Sequence, residues 1–380
     1  MPSLHKHISF SDEQAMLLEA ATAFCREQSP SAKVRGLLAD ERGHDPAVWQ
    51  RIVEMGWTGL AVPEAFGGSG LGVGHLAVIA EPMGRHLLAT PFASSQLAVQ
   101  ALLAAPAAAQ QAWLPKLAQG TPATVALFED DGGWAIDAPA AEARRAGERV
   151  SLHGLKTLVP DAAVAELLVV SLRFDGALAL ALLPSAALPP GALTREQVID
   201  ETRRSHRLKL DGVVLPAEAL LTGDAARAAL QRIRRTALLL AAAEAAGGIA
   251  GVLDVVVDYL NTREAFGRKI GSYQGLKHPA ADMLVTLERS RSHVAHAATL
   301  LDQGADEADV DLALAMAKAE AGEGLLFAGD RAVQFHGGFG FTWDCDAQLY
   351  LRRAVWLQAW FGDAAHHRQR IAAALWPLAA

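Results

Sequence analysis

The sequence predicts an α+β chain in three parts: an N-terminal α-helical domain over residues 1–120, a small β-sandwich or barrel domain over 121–222, and a C-terminal four-helix bundle over 223–380. Three observations predict it. The 380 residues are 51% hydrophobic and 20% charged, a balance that supports a large buried interior. The apolar period is helical at both ends of the chain and strand-like in the middle. Turn signals crowd that middle region, at Asp131-Gly132-Gly133, Asp175-Gly176, Pro189-Pro190-Gly191 and Asp211-Gly212.

Each element has a local reason. Ser11 followed by Gln14 makes a capping-box pattern ahead of a helix from Asp12 to about Gln28, with Phe10 placed to pack back onto it. Further helices are expected at Pro46 to Met55, Gly74 to His86, Ser94 to Leu103 and Ala107 to Ala118, punctuated by prolines and glycines. The runs Thr124 to Phe128, Leu167 to Leu172, Leu178 to Leu183 and Leu208 to Leu215 read as strands. Beyond Thr222, apolar-striped segments at about 225–260, 279–302, 307–335 and 346–376 make the bundle. Ala237 to Val257 is apolar and long enough to cross a bilayer. Glu244, Asp254 and Gly247-Gly248 interrupt it, so the segment is expected to be a buried core helix and not a membrane span.

Composition excludes several function classes. A formal net charge of -8, without a lysine or arginine cluster, gives no footprint for nucleic acid. Two cysteines, Cys25 and Cys345, support neither a disulfide framework nor a metal site, and a reducing cytoplasm is the expected compartment. The start, Met1 to Lys6, carries no apolar run ahead of a small-residue cleavage site, so no secretory signal is expected. No Gly-x-Gly-x-x-Gly follows a predicted strand, which disfavours a Rossmann flavoprotein.

Three stretches carry more specific information. Residues 60–72, LAVPEAFGGSGLG, form a turn whose glycines permit close backbone packing. Residues 259–283 contain the core Arg263-x-x-Phe266-Gly267 and, further on, Gln274; a guanidinium offers forked donors to phosphate oxygens. Residues 332–342, AVQFHGGFGFT, place Gln334 before the glycine pair Gly337 and Gly338, where a backbone can approach a ligand that a Cβ would repel. Read apart from the others, this last stretch is a helix C-cap and turn, with His336 a packed histidine beside it.

Together with the domain order, these stretches resemble the acyl-CoA dehydrogenase family over essentially the whole chain. The resemblance implies FAD as cofactor, an acyl-CoA thioester as substrate, an electron-transfer acceptor such as a flavoprotein, and a homo- or heteromeric dimer or tetramer of family chains. It implies that Arg263 reaches the FAD pyrophosphate, that Phe266 packs near the cofactor, and that Gln274 lies by its nucleotide end. Gln334, Gly337 and Gly338 would contact the cofactor of a neighbouring subunit.

The sequence also departs from that family. Dehydrogenation of a saturated thioester needs a base for the α-proton and an acceptor for the β-hydride. The usual glutamate, about ten residues after the stretch that matches Tyr350 to Ala354, is replaced by Phe361. The minority position for that base, 26 residues before Arg263, holds Ala237. Glu244, seven residues beyond it and roughly 10 Å along a helix, remains as a catalytic candidate. It reads either as a desolvated general base or as the ion-pair partner of Arg235 or of an arginine on a neighbouring helix. Asp363 is a second, shorter-reaching carboxylate. In the β domain the family's ring-contacting stretches become Leu127 to Gly133 and Gly154 to Pro160, with Leu158 for a tryptophan and Pro160 for a threonine. What is kept would complete a neighbour's cofactor site, and what is lost would serve the chain's own. Three readings follow: a dehydrogenase subunit with Glu244 as base, a partner chain completing the FAD site of a heteromeric enzyme, or a structural protein that retains the fold without cofactor.

Overall fold

The computed structural model describes residues 10–376, so the Met1 to Lys6 stretch read for a signal lies outside the described residues. Helices come first: α1 (Asp12–Gln28), α2 (Ser31–Gly36), α3 (Pro46–Glu54), α4 (Val73–Arg85), α5 (Phe92–Leu102) and α6 (Ala107–Ala118). The capping box forms as expected at the start of α1, where the Ser11 hydroxyl accepts from the Gln14 amide at 3.1 Å and Gln14 Oε1 accepts from the Ser11 amide at 3.0 Å. Proline and aspartate start α3 in the same economical way, with Asp45 accepting from the Ala47 amide at 2.9 Å.

Ten strands follow: β1 (Ala123–Ala126), β2 (Glu142–Ala146), β3 (Arg149–His153), β4 (Leu155–Pro160), β5 (Leu167–Phe174), β6 (Ala177–Pro184), β7 (Leu193–Glu196), β8 (Ser205–Lys209), β9 (Val214–Pro216) and β10 (Leu220–Thr222). Seven of them form one sheet in the order β10-β6-β5-β2-β3-β9, with β1 pairing parallel to β5; β4, β8 and β7 form a second sheet. The hairpin β5–β6 is buried along most of its length, and Val150, Leu152, Val159, Leu168, Val170, Leu183 and Leu208 share one core drawn from both sheets. The expected run Leu208 to Leu215 is broken at its own turn signal, Asp211-Gly212, into β8 and β9. Strands β2 and β3 were not among the expected strands: β2 carries one buried residue, Ala143, among charged neighbours, and β3 alternates Val150 and Leu152 with polar residues over only five positions.

The C-terminal part contains α7 (Gly223–Thr262), a short hairpin of β11 (Glu264–Ala265) and β12 (Arg268–Lys269), then α8 (Gln274–Asp302), α9 (Glu307–His336), α10 (Ala347–Ala359) and α11 (Ala364–Leu375). The fourth long segment is therefore two helices. Phe361 and Gly362 adopt left-handed φ of 58° and 107°, which no helix continues through, and Asp363 restarts the chain as the N-cap of α11.

The chain packs as two compact units. One holds α1, α2, α4 and the chain from Leu238 onward; the other holds α3, α5, α6 and the strands β1 to β10. In the first unit the part of α7 from Leu238 onward is the central element, and the apolar segment weighed above as a membrane span is buried in protein, with Leu239, Ala242, Ala243 and Ala246 inaccessible. Glycine sets how closely α4 and α7 cross. A Cβ at Gly247 would lie 1.8 Å from the Glu81 carbonyl oxygen, and one at Gly84 would lie 2.0 Å from the Glu244 carbonyl oxygen. Both obstacles are backbone, which cannot swing aside. Gly247→Ala is therefore expected to lower unfolding free energy by about 1–3 kcal/mol, measured by urea denaturation; a stability equal to wild type would show that the crossing has slack.

Candidate functional site

The Arg263 motif is the turn that leaves α7. The Arg263 amide donates to the Tyr259 carbonyl at 2.9 Å and its carbonyl accepts from Ile270 at 2.9 Å, so the helix end and the hairpin are stitched through this residue. Phe266 and Gly267 make the hairpin turn with φ of 52° and 77°. The Tyr273 hydroxyl donates to the Ala265 carbonyl at 3.0 Å, and the Arg268 guanidinium stacks on the Tyr273 ring at 4.0 Å. The hairpin is thereby held rigid, while Phe266 at its tip is 96% exposed. Gln274 opens α8 and is exposed, as is Arg263.

The Gln334 motif ends α9. Gly337 takes φ 59° with ψ -136°, a region essentially closed to other residues, and a Cβ on Gly337 or Gly338 would meet open space. Gln334, Gly337 and Gly338 are exposed. His336 is buried; its Nδ1 lies 2.7 Å from the Ala332 carbonyl, and its ring stacks on Tyr259 with centroids 4.1 Å apart. That stack brings the end of α7 beside the end of α9, one helical turn from Arg263 and two residues from Gln334. The two motifs thus share one end of the bundle, with donors facing outward.

The two positions at which the family resemblance places a base are closed. Ala237 is fully buried, and Phe361 is buried against Trp360 in an edge-on pair 5.0 Å between ring centroids. Glu244 is buried too, and its Oε1 accepts from the guanidinium of Arg353 on α10, a side chain with no exposed surface. Asp363 accepts from the His366 amide at 2.8 Å as a helix cap. Sequence reasoning did not single out Arg353, which sits in an Arg352-Arg353 pair that reads as a surface charge, nor Lys318, which sits among the alanines of α9. Lys318 is 1% exposed and donates to the Gly362 carbonyl at 2.7 Å; His367, fully buried, faces the Phe361 carbonyl at 3.1 Å. Burial pushes the Lys318 ammonium down to about 8, and burial together with the Lys318 charge brings His367 down to about 3.

In the β-containing unit, the fully buried Lys156 pairs with the half-buried Glu129 at 2.6 Å. Glu129 also accepts from the Ala140 and Ala141 amides at 2.8 and 2.9 Å, and Lys156 donates to the Ser171 hydroxyl at 3.1 Å. Burial pushes the Glu129 carboxyl upward, but these hydrogen bonds outweigh it and hold it below the usual carboxylate range. Leu158 is left-handed at φ 51° and its amide donates to Glu196 at 2.8 Å.

Two expectations follow. Glu244→Gln removes the carboxylate charge from a buried ion pair, so chemical denaturation is expected to show a loss of about 3–5 kcal/mol, most of it recovered in the double variant Glu244→Leu/Arg353→Met; a neutral single variant would contradict the pairing. The second concerns pH. Folded His367 stays neutral to about 3 while the unfolded side chain protonates near 6.5, so the unfolded state binds more protons and stability falls as pH drops from 6.5 toward 3. Folded Lys318 loses its proton near 8 against 10.5 unfolded, so stability climbs between those values. Melting temperatures across pH should lose the acid limb in His367→Gln and the alkaline rise in Lys318→Met; unchanged profiles would show that neither group titrates on unfolding.

Comparison with known proteins agrees with this architecture. The pattern of the acyl-CoA dehydrogenase N-terminal domain matches residues 11–121, and that of the acyl-CoA dehydrogenase C-terminal domain matches residues 226–376. Acyl-CoA dehydrogenase IpdE2 of Mycobacterium tuberculosis is 30% identical over 344 residues, covering 90% of this chain and 91% of the relative. The glutaryl-CoA dehydrogenase of Desulfococcus multivorans is 29% identical over 326 residues, covering 79% and 80%. Among solved structures, the Tcur3481-Tcur3483 steroid ACAD variant superposes with a TM-score of 0.85 at 28% identity, covering 96% of this chain and 98% of that one. The ChsE4-ChsE5 complex from Mycobacterium tuberculosis shares the fold, with a TM-score of 0.88 at 24% identity over 99% and 100% of the two chains. On both domain patterns and a relative spanning nine-tenths of its length, the chain belongs to the acyl-CoA dehydrogenase family of FAD-dependent oxidoreductases.

Proposed function

We propose that this chain is a cytoplasmic subunit of an FAD-dependent acyl-CoA dehydrogenase that carries out α,β-dehydrogenation of a fatty-acid or bulky, steroid-like acyl-CoA thioester. In this reading it works as one half of a pair of unlike family chains and completes the cofactor site of the other. The observation that carries the proposal is the state of the carboxylates. Both positions for a base hold buried apolar side chains, Phe361 and Ala237, and Glu244 is committed to Arg353. The pairing favours the structural role of Glu244 over the catalytic one.

The residues present fit one end of FAD. Arg263, Gln274 and Gln334 are exposed, and Gly337 and Gly338 have open space where a side chain would project, so a guanidinium, two amides and bare backbone are available to a pyrophosphate and nucleotide. The ring end is different. Pro160 offers neither a hydroxyl nor an amide proton, Leu158 offers no aromatic ring, and Glu129 is already saturated by Lys156 and two amides. Bound FAD supplies the acceptor for the β-hydride. The chain's own contribution is to bind and orient the nucleotide end with Arg263 and Gln334, while the carboxylate that takes the α-proton comes from the unlike chain. The relative whose structure bears the paired name Tcur3481-Tcur3483 and the description steroid ACAD supports both the pairing and a bulky acyl group. Reoxidation then falls to an electron-transfer acceptor such as a flavoprotein.

Two variants of the co-purified pair test this. Arg263→Ala is expected to lower flavin occupancy of the pair at least tenfold, read as the 450 nm to 280 nm absorbance ratio, without changing the melting temperature of this chain. Glu244→Gln is expected to retain the kcat per bound flavin at a temperature where it stays folded. A loss of turnover from Glu244→Gln in folded, flavin-loaded protein would return Glu244 to the role of base and overturn the reading.

A further inference from the structure

The loop between α10 and α11 is gripped from two sides. Trp360 to Asp363 join the helices, and their two central residues are left-handed, an unfavourable state for the non-glycine Phe361. Lys318 reaches from the middle of α9 and donates to the Gly362 carbonyl at 2.7 Å. His367 reaches back from α11 to the Phe361 carbonyl at 3.1 Å, and since a carbonyl only accepts, Nε2 carries the proton. Two consecutive carbonyls are therefore held by buried side chains from different helices. Around them, Gln358 Oε1 accepts from the Ala364 amide at 3.2 Å, and Asp363 caps α11. The grip is close: a Cβ at position 362 would lie 2.6 Å from His366 Cδ2 and 2.8 Å from His367 Nε2.

None of these contacts involves the side chain at position 361. A fully buried lysine is also a poor stabiliser, since desolvation opposes its charge. Its place in α9 is accounted for by what it holds.

We propose that Lys318 is a positioning residue which, with His367, fixes the backbone that presents residue 361, so that the loop between α10 and α11 keeps the frame of a base-bearing loop without its carboxylate. The inference rests on the assignment of position 361 to the base, and it separates two properties that the substitution to phenylalanine leaves confounded. The loop geometry belongs to the bundle; the chemistry belongs to one side chain.

Hydrogen exchange on the full chain, in its flavin-loaded pair, tests the grip directly. In Lys318→Met the amides of residues 361–367 are expected to exchange at least tenfold faster at neutral pH, with α9 and the first turns of α10 unchanged. His367→Phe, which removes the other hold, is expected to give the same local signature. Wild-type exchange in both variants would overturn the proposal. A functional readout follows in the background Phe361→Glu, co-purified as a flavin-loaded pair with an unlike family chain whose own catalytic glutamate is replaced by glutamine, where anaerobic addition of an acyl-CoA mixture is expected to bleach flavin at 450 nm at least a hundredfold faster than in the same pair carrying Phe361. Adding Lys318→Met is expected to slow that bleaching at least tenfold at unchanged acyl-CoA affinity. Equal rates with and without Lys318 would overturn the positioning role. Failure of Phe361→Glu to bleach at all, alongside the local exchange signature, would instead sink the assignment of position 361 to the base, while the hold of Lys318 on the loop stands.

Discussion

The buried ion pair between Glu244 and Arg353 is the constraint on which the bundle depends. Glu244 lies in a stretch of α7 that is otherwise alanine, leucine and glycine, and Arg353 has no surface of its own. Two charges in such a place are tolerable only together, because removing either leaves the other desolvated. Apolar packing alone lets α10 slide along α7 in small steps. A charge pair between them allows one register. Nearby, the Tyr350 hydroxyl donates to the Arg85 carbonyl at 2.7 Å and Arg85 pairs with Asp254 at 2.7 Å, so α4, α7 and α10 are tied at successive turns. The glycines at the α4–α7 crossing belong to the same arrangement, since they set the distance at which those polar ties close.

The same pair shapes the functional account. A carboxylate paired with an arginine serves the fold, and Asp363, the other carboxylate considered as a base, serves as a helix cap. Arg263, Gln274 and Gln334 are instead turned outward, and a Cβ at Gly337 or Gly338 would meet open space. Buried apolar residues at both expected base positions, beside outward-facing donors, are what the proposed role in a partner's site rests on.

Much of this was legible in the sequence because it is local. The capping box, the ends of α6 and the turn glycines are decided within a few residues, and the cofactor motifs are contiguous stretches whose residue order carries their meaning. Counting along the chain placed Phe361 and Ala237 where the family resemblance puts a base, and the structure buries both. What the sequence hid is non-local. The partner of Glu244 lies 109 positions away in a doublet of arginines that looks solvated. Lys318 and His367 declare their roles only through two backbone carbonyls, which sequence does not display. The short strands β2 and β3 were missed because only three of their ten residues, Ala143, Val150 and Leu152, are apolar and buried, too few to set a period against the charged residues around them. The break between α10 and α11 was masked by apolar residues that suit a helix as well as a buried turn.

The central claim is that this chain lends donors to a flavin it does not bring to reaction by itself. The visible absorption spectrum of the chain purified alone, set beside that of the chain co-expressed with an unlike family member that carries the glutamate, tests it most directly. Colourless protein alone and yellow protein from co-expression, bleached by an acyl-CoA, is the expected result. Near-stoichiometric flavin on the isolated chain, bleached by an acyl-CoA without any partner, would contradict the account.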